Sequence, residues 1–71
     1  MFYVVFDHDM QWSDYGDCDT DVAEFTNRTD ALSYANDIHG RVRRDNDCVD
    51  RWTVRRVMHD DTVIDWTPTV K

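Results

Sequence analysis

The sequence predicts a small α+β domain in which one helix packs on an antiparallel β-sheet of three to four strands, in the order β-β-α-β-β. Three observations lead to this prediction. An apolar run rich in β-formers opens the chain, one helical stripe lies in the middle, and two β-like runs flank a turn near the end. The 71 residues are expected to form one domain, residues 1–71, that buries about 60% of its unfolded surface.

The first part of the predicted sheet comes from two segments separated by a polar stretch. Residues 2–7 predict a buried strand. Residues 8–20 contain one Gly and no sustained periodicity, so we expect a long loop or an irregular hairpin there. Residues 21–26 predict a short second strand with Ala23 and Phe25 on one face, and without it the order becomes β-α-β-β.

A helix follows the second strand. Asn27 and Asp30 resemble a capping pair, and Thr29 is a competing cap. Gly40 either ends the helix or is an interior Gly that costs roughly 1 kcal/mol. The Arg residues that follow suit the negative end of the helix dipole and favour continuation past Gly40. The apolar stripe consists of Ala31, Leu32, Ala35, Ile38 and Val42.

The last third of the chain predicts a hairpin. Residues 45–50 are expected to form a loop, and residues 52–58 and 62–67 two strands joined by a turn at His59, Asp60 and Asp61. Val57 breaks the alternation of its strand after Arg55 and Arg56, which indicates a bulge. Pro68 is expected to stop the last strand.

Charge is distributed unevenly along the chain. The first forty residues carry nine carboxylates and one Arg, a balance of −8, whereas the last thirty-one carry +1, for a net charge of −7. A folded domain gains no stability from crowding charges of one sign. The uneven distribution of charge therefore indicates a partner-binding surface. Codon usage in a GC-rich genome and adaptation to salt are alternative origins of the same acidity.

The acidic segment predicts partner binding. If residues 17–21 are extended, alternate side chains project to one side about 6.7 Å apart, a spacing comparable to that of successive phosphates. Such a row can occupy the nucleic-acid groove of another protein, although a solvated loop is the alternative. Aromatic residues among acids suit docking on a basic groove, although Trp12 folding back on the core is the competing interpretation. The expected partner-binding residues are Asp7, Asp9, Trp12, Asp14, Tyr15, Asp17, Asp19, Asp21 and Glu24.

The sequence gives little support for a metal or cofactor site. The segment from Asp17 to Asp21 copies the first three ligands of an EF-hand, but Val22 replaces the required Gly and Arg28 the bidentate Glu. His8 is expected at the end of the first strand and His59 in the hairpin turn, both exposed, and no zinc-ligand spacing is present. We expect no metal and no cofactor. We also expect free, unreactive thiols at the two cysteines, because acids flank both.

The arginines suggest an alternative function. A nucleic-acid-binding regulatory domain would use Arg41, Arg43, Arg44, Arg55 and Arg56, with Trp52 available for stacking. A pI of about 4.5 argues against this function, and ion pairing with surface Asp is the simpler explanation. Adjacent strand residues such as Arg55 and Arg56 are expected on opposite faces.

The sequence therefore favours a non-enzymatic interaction protein. The leading hypothesis is a cytoplasmic viral (phage) inhibitor that mimics nucleic acid and occludes a basic site on a larger host protein, such as a CRISPR or restriction complex. A sheet-edge homodimer with a structural role is a third hypothesis. An enzyme ranks last, because no nucleophile and base are paired and Ser13 has no His at a suitable spacing. No segment is long and apolar enough for a membrane span, and the N-terminal run lacks the basic residues of a signal peptide.

Overall fold

The computed structural model describes residues 1–12 and 16–68, and one helix packs on one face of an antiparallel sheet. The strands follow the order β2-β1-β4-β3, and β5 pairs with β4. The sequence prediction of a small α+β fold is confirmed, but the sheet has five strands. The elements are β1 (Phe2–Gln11), β2 (Gly16–Phe25), α1 (Arg28–Ile38), β3 (Val42–Asp45), β4 (Cys48–His59) and β5 (Thr62–Ile64).

The first two strands form a long, regular hairpin. Each has ten residues, and their register runs without interruption from Phe2 opposite Phe25 to Gln11 opposite Gly16. The predicted long loop over residues 8–20 is therefore wrong. Of the two alternatives, the hairpin is the one that forms. The segment lacks an apolar period because, beyond the helix, neither face of the hairpin is covered by another element among the described residues. Polar residues can therefore occupy both faces.

The helix begins as predicted and ends earlier. Asn27 has extended backbone, and its Oδ1 accepts the backbone N–H of Asp30 at 2.8 Å, while Asn27 Nδ2 donates to the Asp30 carboxylate at 2.9 Å. Continuation past Gly40 is wrong. Gly40 has φ +78°, in the left-handed region that glycine favours, and its N–H donates to the Trp52 carbonyl at 2.8 Å. Sheet pairing thus replaces the next helical turn, and Val42 opens β3.

Three strands of the C-terminal half complete the sheet. The predicted loop over residues 45–50 is wrong, because β3 and β4 pair around a two-residue turn in which Asn46 has φ 49°. The predicted hairpin turn is confirmed, with Asp60 at φ 52°. Asn and Asp tolerate this left-handed conformation better than most residues. The fifth strand ends at Ile64, so the predicted strand end at residue 67 and the role of Pro68 in stopping the strand are wrong. Beyond Ile64, the indole N–H of Trp66 donates to the Asn36 side chain at 3.2 Å, which holds this segment against the helix.

The predicted bulge in β4 is present. The register of β4 on β1 shifts between Val5, which lies opposite Arg56, and Phe6, which lies opposite Val54. Val54 and Val57 are three positions apart, yet both are buried in the same core. The extra residue allows this, since without it one of the two valines would point away from the helix.

The core lies between the helix and the end of the sheet that contains Phe2. Val4 and Val57 are the largest fully buried side chains. Aromatic residues extend the core, and the ring of Tyr34 contacts Phe6 and Phe25 at centroid distances of 6.1 and 5.1 Å. The buried core residues are Val4, Phe6, Ala31, Ala35, Ile38, Val54 and Val57.

Candidate interaction surface

The β1–β2 hairpin distributes the predicted partner-binding residues over two faces of the sheet. Alternation places Asp17, Asp19 and Asp21 on the helix side, opposite Met10, His8 and Phe6. Asp7, Asp9 and Glu24 lie on the other side, which we call the open face because no element among the described residues covers it. The acidic segment therefore forms two surfaces and not one.

Asp17, Asp19 and Asp21 form what we call the β2 carboxylate row. All three side chains are exposed, and none forms an ion pair with another described residue. Asp17 Oδ1 accepts the backbone N–H of Cys18 at 2.9 Å. Among the described residues, β2 pairs only with β1 and is thus an edge of the sheet. The row follows this edge, with the side chains about 6.7 Å apart by strand geometry.

Two acids of the open face, Asp7 and Asp9, lie beside polar or basic side chains of the neighbouring strands. Thr20 Oγ1 donates to Asp7 Oδ1 at 2.7 Å, and Arg55 Nη1 lies 3.8 Å from the same oxygen. Asp9 lies between Cys18 on one neighbouring strand and Arg51 on the other. Asp7 therefore has a local basic partner, whereas the carboxylates of the β2 row have none among the described residues.

Of the two predicted aromatic anchors, the structure describes Trp12. Trp12 follows β1, is 48% exposed, and is not among the residues that pack on the core, so the prediction that it folds back on the core is wrong. The hairpin extends β1 away from the helix, and this separates Trp12 from the core. Asp14 and Tyr15 lie outside the described residues.

The bulge rearranges the arginines. The prediction that Arg55 and Arg56 face opposite sides is wrong, because Val54 and Val57 point to the core and the two residues between them are exposed. Arg55 contacts Asp7, and Arg56 lies opposite Val5, so both side chains lie on the open face. Arg44 and Arg51 share this face by register, Arg43 lies on the helix side, and Arg41 lies between the helix and β3.

Sequence reasoning missed a cluster on the helix side. The ring of His8 stacks on Trp52 with centroids 4.5 Å apart and planes 10° apart, and His8 Nε2 lies 3.6 Å from Asp50 Oδ1. His8 lies inside β1, so its predicted position at the end of the first strand is wrong. His59, at the end of β4, stacks on Phe2 at 4.3 Å. Only the strand register brings these partners together, and the sequence alone does not fix that register.

Both thiols are held in their protonated form, as expected. A hydrogen bond with Asp9 is the main reason that the pKa of Cys18 rises from 9.0 to about 11, and burial and the charges of Asp9, Asp7 and Asp19 add to it. Desolvation, followed by the hydrogen bond and charge of Asp50, raises the pKa of Cys48. The most important acid for Cys18 thus comes from the neighbouring strand and not from the flanking sequence.

The described residues form a small depression. It has a cavity volume of about 10 Å³ and is lined by Asp9, Gln11, Val49 and Arg51. That volume is about the space of one water molecule. Within residues 1–12 and 16–68, no three His, Cys, Asp or Glu side chains are close enough to hold a metal ion.

Comparisons with known proteins give no functional information for this chain. No family model matches the chain, and no curated protein or solved structure matches it. No helix in the described residues has the length and apolarity that crossing a membrane requires.

Proposed function

We propose that this protein is a non-enzymatic interaction protein that binds a basic, nucleic-acid-binding site on a larger host protein and excludes nucleic acid from it. The β2 carboxylate row is the observation that supports this proposal, because its three exposed charges lack basic partners among the described residues. A phage inhibitor of a CRISPR or restriction complex is the most concrete version.

The spacing of the row suits a groove that normally holds phosphates. Side chains on one side of a strand repeat about every 6.7 Å. Successive phosphates of a nucleic-acid strand advance 3.4 Å along the axis and are displaced further around it, so the two separations are of similar size. Arginines that contact neighbouring phosphates can therefore contact neighbouring carboxylates of the row.

Long-range attraction followed by a local contact is the expected binding mechanism. A row of like charges accelerates encounter with a surface of opposite charge, and this acceleration weakens as salt increases. Trp12 is half exposed at the tip of the same hairpin and supplies apolar area for anchoring. The complex should therefore form fastest at low ionic strength and compete directly with nucleic acid.

The test is capture from host lysate at low and high salt, followed by mass spectrometry and competition with DNA and RNA. We expect one basic, nucleic-acid-binding protein that is retained at low salt and displaced by nucleic acid. The combined substitutions Asp17→Asn, Asp19→Asn and Asp21→Asn should slow its association at least about tenfold, because they remove the charges that steer encounter. Surface plasmon resonance with the purified partner would measure this rate.

A matched control variant distinguishes the effect of the row on association from the effect of net charge. The combined Asp37→Asn, Asp61→Asn and Asp65→Asn variant removes the same three charges from exposed positions away from the row. We expect this variant to associate nearly as fast as the wild type. Equal association by both triple variants would contradict a specific role for the row.

A second candidate function is nucleic-acid binding by arginines of the open face. The bulge supports this alternative, because it brings Arg55 and Arg56 to the same side as Arg44. Asp7 and Asp9 lie beside these arginines and weaken the case. Retention of labelled DNA or RNA that is lost in the combined Arg44→Ala and Arg56→Ala variant would favour this function over the lead.

A further inference from the structure

The open face carries apolar side chains that a solvent-facing sheet does not need. Val22, Val42 and Val63 lie on it and are 56, 46 and 59% exposed, the most exposed large hydrophobic residues within the strands. Tyr3 and Met58 are neighbours in the same cross-strand row as Val63. A sheet of a small domain normally buries an apolar face against another layer, and the helix covers only the opposite side.

The charges of this face are ordered by strand. Two acids, Asp7 and Asp9, follow Val5 along β1, and arginines lie beside them on β4; Glu24, on β2, is a further acid of this face. Asp9 is level with Arg51, and Asp7 is level with Thr53, next to the bulge residue Arg55. One acidic column thus runs parallel to one basic column.

This order is self-complementary under a two-fold axis parallel to the strands and between β1 and β4. The rotation places β1 of one copy over β4 of the other, and the reverse. Asp9 then faces the second copy's Arg51, Asp7 faces the second copy's Arg55, and Tyr3 faces the second copy's Met58. Each contact occurs twice, as an isologous interface requires.

We propose that the open face is a docking surface for a second copy of this chain, which packs sheet on sheet at about 10 Å separation. The two long dimensions of the molecule, 38 and 26 Å, enclose a rectangle of about 1,000 Å², which is the upper limit for the area of this face. A standard interface uses roughly 800 Å² of each partner, so this face is large enough. Nucleic acid fits it less well, because phosphates would meet the acidic column of β1.

The dimer goes beyond the proposed inhibitory function and does not depend on it. The β2 carboxylate row lies on the helix side, so pairing of the open faces leaves both rows exposed. The proposed surface also differs from a sheet edge, since edge pairing would not use Asp7, Asp9, Arg51 and Arg55.

The test is mutual rescue by two charge variants. The combined Asp7→Lys and Asp9→Lys variant makes both columns basic, and the combined Arg51→Glu and Arg55→Glu variant makes both acidic. Light scattering and sedimentation should find wild-type dimers of about twice the 8.5 kDa chain mass, and monomers for either variant alone. An equimolar mixture should form heterodimers, because each basic column then faces an acidic one.

Rescue distinguishes contacts between copies from contacts within one copy. Each variant places like charges side by side on its own sheet, and mixing does not relieve that repulsion. Circular dichroism of each variant checks folding. If either charge variant fails to fold, Val22→Lys, at an exposed position, should raise the dimer dissociation constant about tenfold.

Three results would overturn the proposal. A wild-type monomer at high concentration would leave no dimer to explain. Dimers that persist in both charge variants would place the contact elsewhere, for example at a sheet edge. A wild-type monomer that retains labelled DNA, with retention lost in the Arg51→Glu and Arg55→Glu variant, would assign the face to nucleic acid.

Discussion

Single residues in this fold acquire their chemistry from the neighbouring strand more than from the neighbouring sequence. Cys18 stands between Asp17 and Asp19, yet Asp9 across the hairpin is the main cause of its raised pKa. A thiol with a pKa of about 11 stays mostly protonated up to about pH 10, where an ordinary thiol is already mostly ionised. Exposure alone therefore does not make this cysteine reactive.

Alkylation of Cys18 tests this effect of Asp9. In a Cys48→Ser background at pH 8, the thiolate fraction should be about a hundredfold below that of a thiol with pKa 9.0. Greater intrinsic nucleophilicity recovers about tenfold, so we expect iodoacetamide to react about tenfold more slowly than with a model thiol. The rate should keep rising with pH to about 11.

Two substitutions identify the acid responsible. Asp9→Asn should lower the pKa and accelerate alkylation at pH 8, because it removes both the charge and the carboxylate acceptor. Asp19→Asn should accelerate it less, since Asp19 is the smallest of the causes. A larger effect from Asp19→Asn would show that the flanking sequence, and not the hairpin register, controls the thiol.

At the scale of elements, the helix depends on its N-terminal cap. Asn27 and Asp30 exchange two hydrogen bonds, which satisfy a backbone donor that the helix leaves free and hold the side chains together. Asn27→Ala should lower the free energy of unfolding by about 1 kcal/mol. Urea unfolding monitored by tryptophan fluorescence would measure the change.

Thr29 provides the matched control for the cap. It was the competing cap in the sequence, but it lies inside the helix, where its side chain caps nothing. Thr29→Ala should change the free energy of unfolding by less than about 0.5 kcal/mol. A loss at Thr29→Ala as large as that at Asn27→Ala would mean that the cap assignment is wrong.

Elements were predictable from sequence where local chemistry decides them. The cap at Asn27, the turn at Asp60 and the bulge before Val57 each follow from residues close together in the chain. The end of the helix does not, because the stripe continues to Val42 and only pairing of Gly40 with Trp52 removes that residue from the helix. Tertiary hydrogen bonds overrode a local pattern there.

The candidate site shows the same division. The exposed, alternating Asp17, Asp19 and Asp21 followed from the sequence once the segment was extended. Their separation from Asp7 and Asp9 did not follow, since it depends on the register of β1 and β2. The stack of His8 on Trp52 joins residues forty-four positions apart in the printed sequence, and no local pattern encodes it.

At the scale of the whole molecule, the net charge of −7 opposes folding at low ionic strength. We expect the β2 carboxylate row to contribute to this repulsion, because its three charges lie in line on one strand without basic partners among the described residues. Salt weakens such repulsion, because the Debye length falls from about 30 Å at 0.01 M to about 10 Å at 0.1 M and about 3 Å at 1 M, the last of which is shorter than the spacing of the row.

Stability should therefore rise with salt, and the row should account for much of the rise. Neutralising Asp17, Asp19 and Asp21 to Asn should raise the melting temperature at low salt by about 4–8 °C, the equivalent of about 1 kcal/mol for a domain of this size. The same variant should respond less to added NaCl than the wild type. Melts followed by circular dichroism at one fixed protein concentration would measure both effects, because dimerisation makes the melting temperature depend on concentration.

The Asp37, Asp61 and Asp65 triple variant separates a local effect from a general one. It removes the same charge, so simple adaptation to salt predicts equal stabilisation by both triple variants. Repulsion concentrated in the β2 carboxylate row predicts a clearly smaller gain for the control. If the row variant gains more stability and also loses partner binding, then the row is retained at a cost to folding, which is the pattern expected of a binding surface. Equal gains in stability would instead indicate that the acidity is a general adaptation to salt.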